Sequence, residues 1–341
     1  MKLNCNQFWL CSLEHPAGAA LNRHQTDGYN HGYNKPSGLP HGGKRQQEEN
    51  VGTPEVISSG LALGAEVRGV ALGSGVDAAT IGFIKDALHQ HSVLVLRNQR
   101  LTPPQQIDFC RRFGKLEAHS HPRYLVKGHP ELLCISNIIG DDGEPLGLAD
   151  AGTVWHTDGH FDDTPNLYSM LYALEIPHDA HGQALGDTLF ASTAAGWDRL
   201  PEALQNKLLP LKAENSLAAI NRELHRRNPA LQRPPLSAAW ANKVVVHPAV
   251  RTHPVTGRKA IYVASAASAR LLGLPEQESR ALIEQLQTLC TEPDQIYRHR
   301  WQVGDLLMWD NCTCLHRLSN DFALPQRRLL HRTTLDFAVP F

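Results

Sequence analysis

The chain has 341 residues, 42% of them hydrophobic and 20% charged, a globular composition with room for one large catalytic domain or two ordinary ones. Lys and Arg number 33 against 34 Asp and Glu, and the formal charge of −1 removes the electrostatic case for a nucleic acid or an anionic membrane as partner. No window reaches the roughly 18 uninterrupted apolar residues of a membrane span, and 7 cysteines are too few and odd in number for a disulfide framework. A soluble, cytoplasmic protein with small-molecule partners is expected.

From Cys11 to Asn50 the sequence is rich in Gly, Asn, His, Pro and Gln without apolar periodicity, which predicts a disordered N-terminal extension over residues 1–50 and one domain over 51–341. Gly60–Val70 alternates as a strand does, and Ala78–His91 carries Ile81, Ile84, Ala87 and Leu88 on one helical stripe. Ser92–Arg97 reads as a buried strand. Thr102 is the candidate N-cap of a helix over Gln105–Phe113, with Pro103 and Pro104 at its first positions and Gly114 at its end. Short β-like runs follow at Leu132–Ile139, Tyr168–Leu174, Thr188–Ala191, Val244–His247, Ala260–Val263, Asp305–Trp309 and Leu329–Phe337. Helices interrupt them at Pro201–Leu209 and Pro275–Leu289. Many short strands with turn punctuation predict an α+β fold built on a sandwich or jelly roll.

The 19 histidines are the compositional anomaly, but with 18 Asp in the same chain a His-x-Asp pair is expected about once by chance. The sequence holds two, His156-Thr157-Asp158 and His160-Phe161-Asp162. On an extended segment residues two apart face the same side, so His156 and Asp158 can present an imidazole and a carboxylate to one ion. The third ligand must come from elsewhere, and His316, after the apolar run Leu306–Trp309 and a polar turn, is the candidate. Two histidines and a carboxylate on one face leave positions open on Fe(II) for an oxoacid and dioxygen, whereas a zinc site is more often closed.

Four motifs in chain order resemble those of the taurine and 2,4-dichlorophenoxyacetate dioxygenases, the TauD/TfdA family. They are Trp155-His156-Thr157-Asp158, Gly186-Asp187-Thr188-Leu189-Phe190, Trp309-Asp310-Asn311 with His316, and Pro325-Gln326-Arg327-Arg328-Leu329-Leu330-His331-Arg332. The resemblance covers about residues 60–337. It implies a double-stranded β-helix (jelly roll) with flanking helices, holding Fe(II) through His156, Asp158 and His316, with 2-oxoglutarate as cosubstrate and dioxygen as oxidant. It assigns the distal carboxylate of 2-oxoglutarate to Thr188 and Arg328, with Arg327 as the rival because neighbouring strand residues face opposite sides. On the substrate side it points to His121, Tyr124, Phe161 and Arg332, a set that suits a small organic anion.

The implied reaction is hydroxylation of a sulfonate, sulfate ester or aryloxyalkanoate, with succinate and carbon dioxide as products and C–S or C–O cleavage next to a heteroatom. Two departures stand out. Asp150-Ala151-Gly152-Thr153-Val154 replaces the Asp/Asn-rich run of the taurine-specific enzymes, and Cys312 replaces the Arg usual after Trp-Asp-Asn. Cys312-x-Cys314 near His316 has zinc-like spacing, and a zinc hydrolase or a metal-binding jelly-roll protein is the alternative to an oxygenase. A homo-oligomer stays open.

Overall fold

The computed structural model describes residues 52–116, 122–149, 152–227, 229, 236–263, 269–337 and 340–341. The predicted N-terminal extension and His121 lie outside the described residues. The described part opens with an antiparallel pair, β1 (Glu55–Ser58) and β2 (Ala65–Arg68). Asp77 then caps helix α1 (Ala78–His91), accepting from Thr80 N at 2.7 Å, and the helix buries the expected stripe of Ile81, Ile84, Ala87 and Leu88. Strand β3 (Val93–Leu96) follows, buried throughout.

Thr102 and Gln105 form a reciprocal capping box at the start of α2 (Pro103–Arg111), which has the expected N-cap and prolines at its first positions and ends two residues before Phe113. Next come β4 (Leu125–Val126), β5 (His129–Ser136), β6 (Asn166–Glu175), β7 (Thr188–Ser192), α3 (Thr193–Asp198), α4 (Glu202–Leu208) and β8 (Lys212–Asn215). The helix α5 (Leu217–Arg227) has no counterpart in the sequence reading; its polar face is tied by Glu223 to Arg226 and Arg227. After α6 (Ala238–Ala241), β9 (Val245–Pro248), β10 (Val250–Thr252), β11 (Lys259–Ile261) and β12 (Ala269–Leu271) comes α7 (Glu276–Cys290), with Leu282, Ile283 and Leu286 buried. The chain continues with β13 (Tyr297–His299), β14 (Leu306–Asp310), β15 (Cys314–Leu318) and β16 (Leu329–Phe337).

Eight strands form one sheet in the order β1-β2-β3-β14-β6-β16-β5-β4, antiparallel throughout except between β2 and β3. Its two faces belong to two cores. Leu94, Leu96, Leu306, Met308, Met170 and Tyr172 pack with α1 and α2, while Val93, Val95, Leu307, Trp309, Leu171 and Leu330 pack the opposite way. Because the side-chain period is two, a one-residue slip of β14 would exchange these sets, so both cores fix the register. The second core also takes Phe190 and Cys314 from the three-stranded sheet β13-β7-β15. The architecture is a mixed α/β one, with a large sheet facing a small sheet on one side and helices on the other. Among the described residues no helix is long and apolar enough to cross a membrane.

Candidate metal centre

His156 and His316 sit opposite each other in an isolated antiparallel bridge, each backbone N–H donating to the other's carbonyl at 3.1 and 2.8 Å. His316 therefore stands within β15, opposite Phe190 of β7, and not in the polar turn that ends β14. The two imidazole Nε2 atoms lie 3.6 Å (His156) and 3.7 Å (His316) from Asp158 Oδ1. These gaps are too wide for hydrogen bonds, so three donor atoms within 4.8 Å of one another face a common point without satisfying each other.

Each donor is held from behind. His156 Nδ1 is 2.8 Å from the Val154 carbonyl, which can only accept, so the proton is on Nδ1 and the Nε2 lone pair is free. The His316 ring is fixed by packing, stacked on Phe190 at 5.8 Å and set against Trp309 at 4.8 Å. Asp158 Oδ2 accepts from Ser169 Oγ at 2.7 Å and from Arg332 Nη2 at 2.8 Å, leaving Oδ1 for the common point. Burial acts to raise the Asp158 pKa, but the Arg332 guanidinium, the largest of the opposing causes, helps hold the carboxyl well below its usual range. Burial and His156 push His316 well below the ordinary imidazole value, so that ring is a neutral donor in the form a cation needs.

Arg328 enters the same inner layer just before β16. It is 3% exposed, its Nε has no hydrogen-bond partner, and among the described residues no carboxylate pairs with it. Burial lowers its pKa to about 9. The guanidinium lies against Trp301 and Phe322, with Nη2 3.4 Å from the Gly186 carbonyl. A Cβ at Gly186 would come within 3.0 Å of Arg328 Nε, and the residue has φ +74, so only glycine lets the arginine approach there. Trp301 Nε1 donates to Thr188 Oγ1 at 3.1 Å, which leaves the threonine proton free to donate beside the arginine. Arg327 faces away: its side chain is 53% exposed and pairs with Glu175 at 2.8 Å. A buried fork with an unused N–H and an adjacent hydroxyl donor fits a carboxylate.

The profile of the taurine catabolism dioxygenase TauD, TfdA family matches residues 55–334. The chain belongs to the TauD/TfdA family. It is 36% identical to the alpha-ketoglutarate-dependent 2,4-dichlorophenoxyacetate dioxygenase of Cupriavidus pinatubonensis over 286 residues, 81% of this chain and 95% of that one. A crystal structure of a taurine dioxygenase from Burkholderia xenovorans is 29% identical, with a TM-score of 0.69, covering 85% of this chain and 91% of its own. The structure of AAD-2 in complex with Mn(II) and N-oxalylglycine is 26% identical at the same TM-score of 0.69, covering 84% and 97%.

Of the positions that the TauD/TfdA pattern assigns to substrate, Tyr124 is buried in the inner core and Phe161 is half-buried, edge-on to Trp240 of α6 at 6.0 Å. Arg332 Nη2 reaches Asp158 Oδ2 at 2.8 Å. Trp240, Trp301, Ser169 and Asn311 escaped the sequence reading. Only Asn311 lay inside a quoted motif, and no spacing signal marks the others.

The thiols that suggested zinc pack as core. Cys314 Sγ lies 3.1 Å from the Asp310 carbonyl, and burial raises the Cys312 and Cys314 thiols above their ordinary range. His253, Asp310 and Cys312 also lie close together. His253 Nδ1, however, accepts from the backbone of Val255 and Thr256 at 3.1 and 3.0 Å, so its proton sits on Nε2, 2.8 Å from Asp310 Oδ2. A protonated nitrogen beside a carboxylate offers no lone pair to a cation, so the group is a structural pair and not a ligand set.

Proposed function

We propose that this TauD/TfdA protein is an Fe(II)- and 2-oxoglutarate-dependent dioxygenase, built on a double-stranded β-helix, that hydroxylates a small organic anion and releases succinate and carbon dioxide. The observation that carries the reading is a pairing: three convergent imidazole and carboxylate donors lie in the layer that also holds a buried guanidinium with which, among the described residues, no carboxylate pairs. One group of donors suits a divalent cation and the other a dicarboxylate. Iron, 2-oxoglutarate and dioxygen supply the oxidising chemistry when bound.

The chain's own residues do the rest. His156, Asp158 and His316 would hold the metal, and a three-residue set of this kind would leave room for cosubstrate and oxidant. Thr188 and Arg328 orient the distal carboxylate of 2-oxoglutarate, and the apolar walls of Trp301 and Phe322 exclude water from that ion pair. The family pattern gives Tyr124, Phe161, Arg332 and His121 the contacts with the organic anion. The relative that acts on 2,4-dichlorophenoxyacetate and the neighbour named for taurine put aryloxyalkanoates and sulfonates first among candidate substrates, with sulfate esters next.

Succinate release is measured with Fe(II), 2-oxoglutarate and air across a panel of aryloxyalkanoates, sulfonates and sulfate esters. At least one class is expected to stimulate it, and His156→Ala, Asp158→Ala and His316→Ala each to abolish that stimulation, with His160→Ala far milder. Turnover without oxygen or 2-oxoglutarate would replace the reading with a hydrolase. Iron retention that needs His160 but not His156 would overturn the ligand set.

A further inference from the structure

Ser169 lies on β6, at the centre of the large sheet, and is 0% exposed. Register brings its partners to it: Trp309 of β14 lies opposite on one side and Thr334 of β16 on the other. Its Oγ is 3.0 Å from Asn311 Nδ2, 3.1 Å from Asn166 Nδ2 and 2.7 Å from Asp158 Oδ2.

The direction of every proton in this group follows from chemistry. Trp309 Nε1, which can only donate, points at Asn311 Oδ1 from 2.9 Å, and the Asp158 backbone N–H points at the same oxygen from 3.3 Å. Asn311 therefore turns its NH2 toward Ser169. Asn166 Nδ2 also faces the Tyr168 carbonyl at 3.5 Å, which identifies it as the amide nitrogen. Two amide donors thus occupy the lone pairs of Ser169 Oγ, and its single proton has one acceptor left, Asp158 Oδ2.

We infer that Ser169 is a positioning residue that makes Asp158 a one-oxygen ligand: by donating to Oδ2 along a direction fixed by Asn311 and Asn166, it reserves Oδ1 for the metal. The inference rests on the metal centre proposed above. Arg332 shares Oδ2, but it does so from a long side chain that is 17% exposed, whereas Ser169 is short and enclosed. Without the Ser169 proton the carboxylate is free to turn about its Cβ–Cγ bond toward Arg332, and the three-donor face is lost.

The test uses the full chain and Co(II) alone, titrated without oxygen and followed by visible absorption, with metal-free unfolding midpoints recorded beside it. Ser169→Ala is expected to bind Co(II) about 10–100-fold more weakly and with altered bands. Ser169→Thr, which keeps the hydroxyl, is expected to bind within about threefold of the unaltered chain and with its spectrum. Unchanged affinity and spectrum in Ser169→Ala would overturn the role of Ser169 while the metal centre stood, as would a folded Ser169→Thr as weak as the alanine variant. Where Ser169→Ala does not fold, Ser169→Cys, a weak donor of similar shape, is read in its place by the same two outcomes. Co(II) binding that His156→Ala leaves intact would instead remove the metal centre, and this inference with it.

Discussion

At the scale of single residues, the inner layer separates two arginines that the sequence could only rank. Arg327 is solvated and paired with Glu175, and Arg328 is enclosed with no carboxylate paired to it among the described residues. Arg328→Leu is accordingly expected to raise the 2-oxoglutarate requirement of succinate formation by about 30-fold or more, the loss that follows from breaking a buried charge-assisted pair worth about 2–5 kcal/mol. Arg327→Leu should change it less than threefold, since exposed pairs contribute about 0–1 kcal/mol. Titration of both variants with 2-oxoglutarate decides; a dominant effect of Arg327 would reverse the assignment. His156, Asp158, His316, Thr188 and Arg328 could be singled out as candidates because their residue types and order match a known pattern. Ser169 and Trp301 could not be, because a buried serine in an apolar strand and an aromatic in a turn look like ordinary core until their partners from distant strands are known. Arg332 was legible as an inward-facing charge, but its contact with Asp158 depends on the register of β16 against β6, which no single strand reveals.

At the scale of elements, the helices that the sequence marked well are those with local signals. The stripe of α1 and the capping box of α2 are written in consecutive residues. Thr102→Ala is expected to cost about 1 kcal/mol in chemical denaturation, because it leaves orphan N–H groups at the start of α2. It should leave substrate-stimulated succinate formation unchanged, as α2 packs on the outer face of the sheet. A loss of activity at full stability would show that α2 is coupled to the site. The strands β1, β4, β8, β10, β12, β13 and β15 and the helices α3, α5 and α6 were not foreseen. They are short or strongly polar, and they exist because neighbours such as β7 complete their hydrogen bonds, a tertiary effect with no local trace.

At the scale of the whole molecule, burying neutral histidines makes stability depend on pH. Burial, with His129 nearby, lowers the His331 pKa to about 4, against about 6.5 in an unfolded chain. As pH falls through that window the unfolded state takes up a proton that the folded state refuses, so stability drops from about pH 6.5 and levels off near pH 4. The full span is about 3 kcal/mol for this residue. Comparing urea midpoints at pH 7 and pH 4.5, His331→Gln should lose visibly less stability than the unaltered chain. Equal losses would mean that His331 is protonated in the folded state. The mixture of many short strands with helices was legible from turn punctuation and alternating apolar runs. The order of the eight strands was not, since it joins β3 to β14 and β6 to β16 across most of the sequence.

The backbone bridge between His156 and His316 makes occupancy of the centre readable without any substrate. Those two amides exchange with solvent only when the bridge parts, and parting it separates two of the three metal-facing side chains. Opening and release of a cation are thereby one event. At a free metal concentration 100 times its dissociation constant, opening becomes dearer by about 2.7 kcal/mol, a roughly 100-fold slowing. Deuterium uptake at the His156 and His316 amides should therefore fall by about that factor on loading, while the amides of α1 keep their rate. Uniform slowing across the chain would mean that the ion clamps the whole fold and not this one clasp.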